Sequence, residues 1–227
     1  MLFGNLIPAT FVARPNRFLG LVDVDGETME CFIPNPGRMR ELLYRGARVY
    51  LRRCVSESRK TSYDLSLADH DGVLVSIDSR VPNSVIEESI RSGLIPEFGG
   101  YVIDRREPIF GDSRFDLHLI KGSRSALVEI KSCTLVIGGV ALFPDAPTKR
   151  GARHLRTLSK ALRVGRSALV FLIQRNDAVV LSSNEAADPE FSNALRQALL
   201  KGVEVYAYDS KVTLEGISIN RRVLVKV

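Results

Sequence analysis

Several residue types are scarce in this sequence of 227 residues, which contains no tryptophan, three cysteines and three histidines. Cys31, Cys54 and Cys133 lie far apart and form no Cys-x-x-Cys pair, so we expect no disulfide framework. The three cysteines and three histidines do not have the spacing that the ligands of a structural zinc site require. This usage is typical of a reducing compartment, and we expect a cytoplasmic protein.

Long apolar segments are also missing. The longest apolar run covers residues 168–173, which is far too short to span a bilayer. The first eight residues have neither a basic segment nor a long apolar stretch, so they do not resemble a signal peptide. We therefore expect no membrane among the partners of the chain.

Positive charge is in excess, with 32 lysines and arginines against 26 acidic residues and a formal net charge of +6. An excess of this sign favours a polyanionic partner. Hydrophobic residues make up 45% of the chain, which is enough to build the cores of one or two domains and argues against general disorder.

The first 80 residues alternate strand-like segments with turn residues. The pattern predicts strands over 6–13, 18–24, 28–33, 47–53, 61–67 and 73–77, with a hairpin turn at Asp25-Gly26 and one helical piece over 36–43. Short strands around a single helix predict a small closed barrel of the five-stranded OB type. We assign residues 1–80 to this nucleic-acid-binding domain.

Residues 81–227 mix helices with strands. The pattern predicts a helix opening at Pro82, strands over 101–105, 115–120, 126–130, 168–173 and 203–208, a hairpin over 135–143, and helices over 149–164 and 188–201. This order predicts a second domain of the α/β (α+β) class, with a mixed sheet flanked by helices. The domain boundary is expected between residues 76 and 84.

Two acids and a lysine form the sharpest chemical signal. Glu129 and Lys131 alternate with apolar residues on one strand, and Asp116 does so on the strand before it, so both acids are expected on one face. If the strands pair, two carboxylates converge and need a cation, and oxygen ligands suit Mg²⁺ or Mn²⁺. The lysine would orient or deprotonate a water, or stabilise charge on a phosphate.

The acid-x-lysine tripeptide alone carries little information, because residues 209–211 (DSK) match it as well. Only the first copy follows a strand with an interior acid. The competing interpretation is an exposed strand face with a salt bridge.

Five segments resemble the sugar fermentation stimulation protein A family. They are residues 16–18 (NRF), 34–39 (PNPGRM), 59–63 (RKTSY), 128–135 (VEIKSCTL) and 139–155 (GVALFPDAPTKRGARHL). The resemblance covers essentially the whole chain. It implies an OB-fold N-terminal domain, a PD-(D/E)XK nuclease-like C-terminal domain and DNA binding, and its fold suggests nuclease action.

Within this resemblance, Asp116, Glu129 and Lys131 match the nuclease motif position by position. We expect Asp116, Glu129 and the Ile130 carbonyl to ligate the metal. His118 departs from the expected apolar residue, and it is either a metal or phosphate ligand or a half-exposed bystander.

Other acids and histidines leave alternatives open. Nucleases of this fold often add an acid from the first helix, for which Glu87 and Glu88 are candidates, and the alternative is that both are solvated. His154 either acts near the scissile phosphate or is buried and hydrogen-bonded.

Two groups of cations are candidate phosphate ligands. No acid occurs between Ala146 and Asn176, and the cations on the predicted helix there recur at helical spacing. The nucleic-acid-binding candidates are Lys149, Arg150, Arg153, Arg156 and Lys160 on this helix, and Arg38, Arg52, Arg53, Arg59 and Lys60 in the barrel.

We therefore predict a DNA-binding protein with a divalent-metal-dependent nuclease site. The alternative is a DNA-binding protein that uses a nuclease-like fold only for binding. A sugar enzyme is a third possibility, but the sequence has no glycine-rich nucleotide loop or covalent-catalysis motif. The oligomeric state stays open, a homodimer included.

Overall fold

The computed structural model describes residues 1–54 and 59–227, and its first sheet closes into a barrel. The strand order is β3-β2-β1-β4-β5-β6, and a parallel contact between Phe32 of β3 and Asp64 of β5 closes the barrel. The strands are β1 Leu6–Asn16, β2 Leu19–Val24, β3 Glu27–Phe32, β4 Arg48–Arg53, β5 Tyr63–His70 and β6 Val73–Ser76.

Local chemistry explains the hairpin turn between β2 and β3. Asp25 and Gly26 have positive φ angles of 53° and 89°, as a two-residue turn between twisted strands requires.

The helix predicted over 36–43 is wrong, because this segment forms only turns. Met39 has a φ of 47° and is 1% exposed, so its side chain anchors a left-handed turn in the barrel core, which a continuing helix would not permit.

The second sheet has nine strands in the order β12-β13-β15-β17-β16-β14-β11-β10-β7. These are β7 Val102–Arg106, β10 Leu117–Lys121, β11 Arg124–Cys133, β12 Val136–Ile137, β13 Val140–Phe143, β14 Arg166–Ile173, β15 Val180–Ser183, β16 Glu204–Val212 and β17 Ile217–Lys226. A separate small pair consists of β8 Ile109–Phe110 and β9 Ser113–Arg114. The helices are α1 Val81–Arg91, α2 Lys149–Ala161 and α3 Pro189–Leu200, with a 3-10 turn at Pro96–Phe98.

Helices cover both faces of the second sheet. Apolar residues of α2 and α3 pack on one face, and those of α1 pack on the other face together with Tyr50 and Leu67 of the barrel. A strand buried on both faces needs no polar side, which explains the unbroken apolar run of residues 168–173 in β14. The same burial means that both faces of the neighbouring β11 are covered.

The predicted class is confirmed: a barrel precedes a mixed sheet flanked by helices. The interior strands β15 and β17 were not predicted, and α2 ends at Ala161 instead of residue 164. In the described part of the chain, the barrel shares no strand pairing with the second sheet, although the Ser76 N–H donates to the Gln174 carbonyl at 3.0 Å. The division into domains 1–80 and 81–227 stays a prediction.

The described ranges contain no helix with the length and apolarity that a membrane crossing requires.

Candidate metal and nucleic-acid site

The site forms where β10 and β11 separate. Their antiparallel ladder ends at the pair Leu117 and Val128, and the next residue back along the chain, Asp116, turns its carboxylate into the gap. Asp116 Oδ2 accepts a hydrogen bond from the Ile130 N–H at 2.6 Å, so a side chain takes the place of a backbone acceptor. Because Glu129 adjoins Ile130, this bond brings the two predicted acids to one place.

Asp116 is held from a second side by α1. Its Oδ1 accepts a hydrogen bond from Asn83 Nδ2 at 2.8 Å. Burial and the charge of Glu129 raise the pKa of Asp116 above its ordinary value, although these two hydrogen bonds and Lys131 oppose the shift. Asn83 was not among the predicted site residues, and only its position at the start of a predicted helix hinted at a role.

Glu129 is 3% exposed and lies under α2. Its Oε1 accepts from both Lys131 Nζ and His154 Nδ1, each at 2.5 Å. Burial alone would raise the pKa of Glu129, but the His154 hydrogen bond and the Lys131 charge hold it below the ordinary value. The interpretation of Glu129 as part of an exposed strand face is therefore wrong, because α2 covers that face.

The second oxygen of Glu129, Oε2, is buried without any hydrogen-bond partner. A buried carboxylate oxygen in this condition is costly, and such an atom calls for an explanation such as a bound cation. No group of three or more His, Cys, Asp and Glu side chains that could hold a metal occurs in the described ranges. The predicted donor set of Asp116, Glu129 and the Ile130 carbonyl consists of oxygen atoms, which hard cations prefer, and it stays a prediction.

His154 links this site to the surface of α2. Since the ionised Glu129 can only accept, Nδ1 of His154 donates to it, and the unprotonated Nε2 then accepts from Arg150 Nε at 3.2 Å. His154 is 2% exposed, and its ring meets the Phe115 ring edge-on at 5.6 Å. Of the two interpretations of His154, the buried and hydrogen-bonded one is what the structure shows.

The remaining candidate acids and His118 are paired with groups other than Asp116. Glu87 is 8% exposed and accepts two hydrogen bonds from Arg106, at 2.6 and 3.0 Å. Glu88 is exposed and contacts the N-terminal amine at 2.9 Å. His118 pairs with Asp104 at 2.7 Å on a partly exposed surface.

The predicted cations of α2 lie on its exposed side. All five are exposed, namely Lys149, Arg150, Arg153, Arg156 and Lys160. Thr148 caps the helix by accepting from the Gly151 N–H at 3.0 Å, as its sequence position predicts. Arg156 is paired with Glu190 at 2.7 Å and Arg150 with His154, so these two cations have protein partners.

The barrel cations fall into two groups. Arg38, Arg53 and Lys60 are exposed, whereas Arg52 and Arg59 pair with the buried carboxylate of Asp64. Arg38 also lines an open cleft of about 530 Å³ between the barrel and the segment that leads into α2. The cleft residues include Arg14, Arg17, Arg38, Arg40 and Pro147.

An OB barrel followed by a mixed sheet flanked by helices is the class that this architecture defines. The family model described as "SfsA N-terminal OB domain" matches residues 12–77, and the model described as "Sugar fermentation stimulation protein RE domain" matches residues 80–216. The chain belongs to the sugar fermentation stimulation protein A family, as the sequence resemblance predicted.

Relatives match over nearly the full length. A sugar fermentation stimulation protein homolog of Caldanaerobacter subterraneus subsp. tengcongensis is 44% identical over 221 residues, which cover 97% of this chain and 96% of the relative. A homolog of Moorella thermoacetica is 45% identical over 226 residues, covering 98% and 97%. The structure of Pyrococcus furiosus SfsA in complex with Ca²⁺ has a TM-score of 0.93 at 31% identity and covers 100% of this chain and 98% of its own.

Proposed function

We propose that this protein binds DNA and hydrolyses phosphodiester bonds with the help of Mg²⁺ or Mn²⁺. In this proposal Asp116, Glu129 and the Ile130 carbonyl hold the cation, and Lys131 acts at the reacting phosphate. The observation that carries the proposal is the buried, unpartnered Oε2 of Glu129 next to Asp116, whose pKa is raised by burial and by the charge of Glu129.

The donor set supports a hard divalent cation. Carboxylate and carbonyl oxygens are the ligands that Mg²⁺, Mn²⁺ and Ca²⁺ prefer. The related Pyrococcus furiosus protein, described as a complex with Ca²⁺, supports binding of such an ion in this family. A divalent cation, when bound, lowers the pKa of water and neutralises charge on a phosphate.

Lys131 is suited to a role beside the phosphate. Its side chain is 18% exposed and its ammonium group contacts Glu129 Oε1, so it lies at the edge of the carboxylate pair and not within the core. An ammonium donor held there stabilises negative charge that develops on a phosphate oxygen, or orients the attacking water. Lys131 thereby contributes a positive charge beside the two negatively charged acids.

His154 acts as a positioning residue in this proposal. Together with Lys131 it fixes Oε1 of Glu129, which leaves Oε2 as the oxygen available to a cation. Its second nitrogen is tied to Arg150 on α2. A ligand held by such a partner keeps its orientation when the site is empty, which favours cation binding.

The predicted cations of both domains would hold the DNA backbone. On α2 these are Lys149, Arg150, Arg153, Arg156 and Lys160, and in the barrel they are Arg38, Arg52, Arg53, Arg59 and Lys60. Cations of this kind attract phosphates regardless of base sequence. Arg52 and Arg59 would keep their pairing with Asp64 while their outer N–H groups face the backbone.

Binding without catalysis is the second candidate, and one observation favours it. Both oxygens of Asp116 already accept hydrogen bonds from protein groups, and Oε1 of Glu129 accepts two. A cation must therefore compete with donors of the protein itself for most of its ligand atoms. A site of this kind also serves a protein that only binds DNA.

Incubation with a panel of single-stranded, duplex and branched nucleic acids, in Mg²⁺, Mn²⁺ or EDTA, decides between the two candidates. We expect cleavage with a divalent cation and none in EDTA, and loss of cleavage in Asp116→Asn, Glu129→Gln and Lys131→Ala. The two acid variants should bind DNA at least as tightly as the wild type, because each loses a negative charge. Tight binding without cleavage under every condition would favour the binding-only candidate.

A further inference from the structure

Two phenylalanines stack on the surface of the barrel. The rings of Phe18 and Phe32 are 6.0 Å apart at an interplanar angle of 20°, so they are nearly parallel. Phe18 is 45% exposed although it is a large apolar side chain. An exposed ring on top of a stacked pair offers a flat surface to which a further ring can be added.

Two arginines complete this surface. The guanidinium groups of Arg59 and Arg80 lie 5.7 and 5.9 Å from the centre of the Phe32 ring. Both are held by hydrogen bonds to the buried Asp64. The side chain of Arg80 is nevertheless 51% exposed, so it is fixed in place and still faces a ligand. Aromatic faces beside fixed arginines are what nucleobases joined by phosphates require.

Neighbours along the chain link the stacked pair to both parts of the proposed active site. Arg80 directly precedes α1, and Asn83, about one helical turn later, donates to Asp116. On its other side, Phe18 follows Arg17, which lines the cleft that leads to Pro147 and the start of α2. A strand bound on the pair would therefore continue toward the carboxylates and the α2 cations.

We propose that Phe18, stacked on Phe32 and bordered by Arg59 and Arg80, is a binding site for an unpaired nucleobase, so that the protein selects nucleic acid with single-stranded regions. A base inside a duplex has both faces covered by its neighbours, and only an unpaired or terminal base can stack on Phe18. This inference rests on the proposed function for its substrate class, but binding at Phe18 does not depend on catalysis.

The absence of tryptophan from the sequence allows a direct test. Phe18→Trp introduces a single tryptophan into the full chain, and Tyr44→Trp places one at another exposed aromatic position of the barrel, which is 50% exposed. In EDTA, we expect oligothymidylate and oligouridylate to quench the fluorescence of Phe18→Trp, whereas a duplex of equal length without free ends leaves it unchanged. Tyr44→Trp should respond to none of them.

Affinity gives the second measurement. Phe18→Leu keeps an apolar side chain but removes the ring, and we expect about tenfold weaker binding of oligothymidylate with less than about a twofold change for the closed duplex. Tyr44→Leu should change neither. A preference for oligothymidylate over oligouridylate, or the reverse, would identify DNA or RNA as the source of the base.

The inference is overturned if Phe18→Trp is not quenched by the single strands, or if Phe18→Leu weakens single-strand and duplex binding equally. Because these assays contain EDTA, their outcome is separate from cleavage. Quenching without cleavage in Mn²⁺ would support the base site and contradict the nuclease proposal, and cleavage without quenching would do the opposite.

Discussion

The same tripeptide pattern, acid-x-lysine, occurs twice in the second sheet with different surroundings. Residues 129–131 lie on β11 and residues 209–211 on β16, and both strands run parallel to β14 between them. Both acids are buried, Glu129 at 3% and Asp209 at 0% exposure. Burial alone therefore does not distinguish them.

Hydrogen bonding distinguishes them. Asp209 accepts from the N–H and Nε of Arg221, both at 2.9 Å, and from Asn220 Nδ2 at 3.0 Å, so both of its oxygens are satisfied. Glu129 keeps one oxygen without a partner. The comparison indicates that the unpartnered Oε2 of Glu129, and not burial, separates the two acids, because at this oxygen a cation competes with no donor of the protein.

The two lysines should differ most in catalysis. We expect Lys131→Ala to lower the cleavage rate by at least about 100-fold, the loss typical of removing one fixed donor from a reacting oxygen. Lys211→Ala removes the exposed lysine of the second tripeptide and is the matched control, with an expected change below about twofold. Equal losses in single-turnover cleavage would remove the distinction between the two copies.

The two acids should differ in stability. Asp209→Asn disrupts charge-assisted bonds to Arg221, and we expect it to lower the free energy of unfolding by about 2 kcal/mol, with cleavage unchanged in the folded protein. Urea denaturation monitored by circular dichroism measures the change. A stable Asp209→Asn protein without any cleavage activity would reverse the roles assigned to the two sites.

The α2 cations should control binding and not chemistry. Replacing Lys149, Arg153 and Arg156 together by glutamine should lower the slope of log affinity against log salt by about 0.9 for each phosphate that these side chains neutralise. Since Arg156 is paired with Glu190, we expect the slope to change by the equivalent of about two phosphates and not three. Unrelated duplexes should be affected alike, and Lys201→Gln at the end of α3 serves as the control. An unchanged salt slope in a folded triple variant would remove α2 from the binding surface.

Asp116 should show the smallest and most diagnostic effect. Its raised pKa means that the ionised carboxyl is less favourable in the folded protein than in the unfolded chain. This destabilisation is fully present above the folded pKa and disappears as pH falls below the unfolded value. Asp116→Asn should therefore stabilise the metal-free protein by up to about 1 kcal/mol at neutral pH. The side-chain amide of Asn83 can rotate so that its oxygen accepts a hydrogen bond from the amide introduced at position 116.

Thermal unfolding of the wild type and of Asp116→Asn, in EDTA at neutral pH and at pH 4, measures this difference in stability. The stabilisation should shrink toward the lower pH, because wild-type Asp116 then becomes protonated. A destabilised Asp116→Asn protein at neutral pH would show that the carboxylate is structural.

Local sequence patterns predicted the parts of the site that depend on neighbouring residues. Alternation within β11 places Glu129 and Lys131 on one face whatever surrounds them, whereas Asp116 lies just before β10 and bonds to Asn83 of α1. Asn83 and the His154–Glu129 bond depend on how α1 and α2 rotate against the sheet, and this rotation is set by packing over long sequence distances. No local pattern contains that information.

The missed strands have a related cause. β17 carries Asn220, Arg221 and Arg222 in succession, so its sequence reads as a surface loop. Its strand conformation comes from pairing with β16 on one side and β15 on the other. Likewise, Pro36-Gly37 followed by periodic apolar residues predicts a helix, but burial of Met39 in the barrel core enforces a left-handed turn.

Cation binding tests the central claim most directly, namely that the incomplete carboxylate of Glu129 and its neighbour Asp116 form a metal site. Isothermal titration calorimetry of the full chain with Mn²⁺ should show one ion bound per chain. Thermal unfolding should show a rise in Tm of roughly 5 to 10 °C when the Mn²⁺ concentration is a hundredfold above Kd. Glu129→Gln and Asp116→Asn should lose both signals, while Lys211→Ala keeps them. Unchanged Mn²⁺ binding in the two acid variants, or no binding to the wild type, would contradict the account.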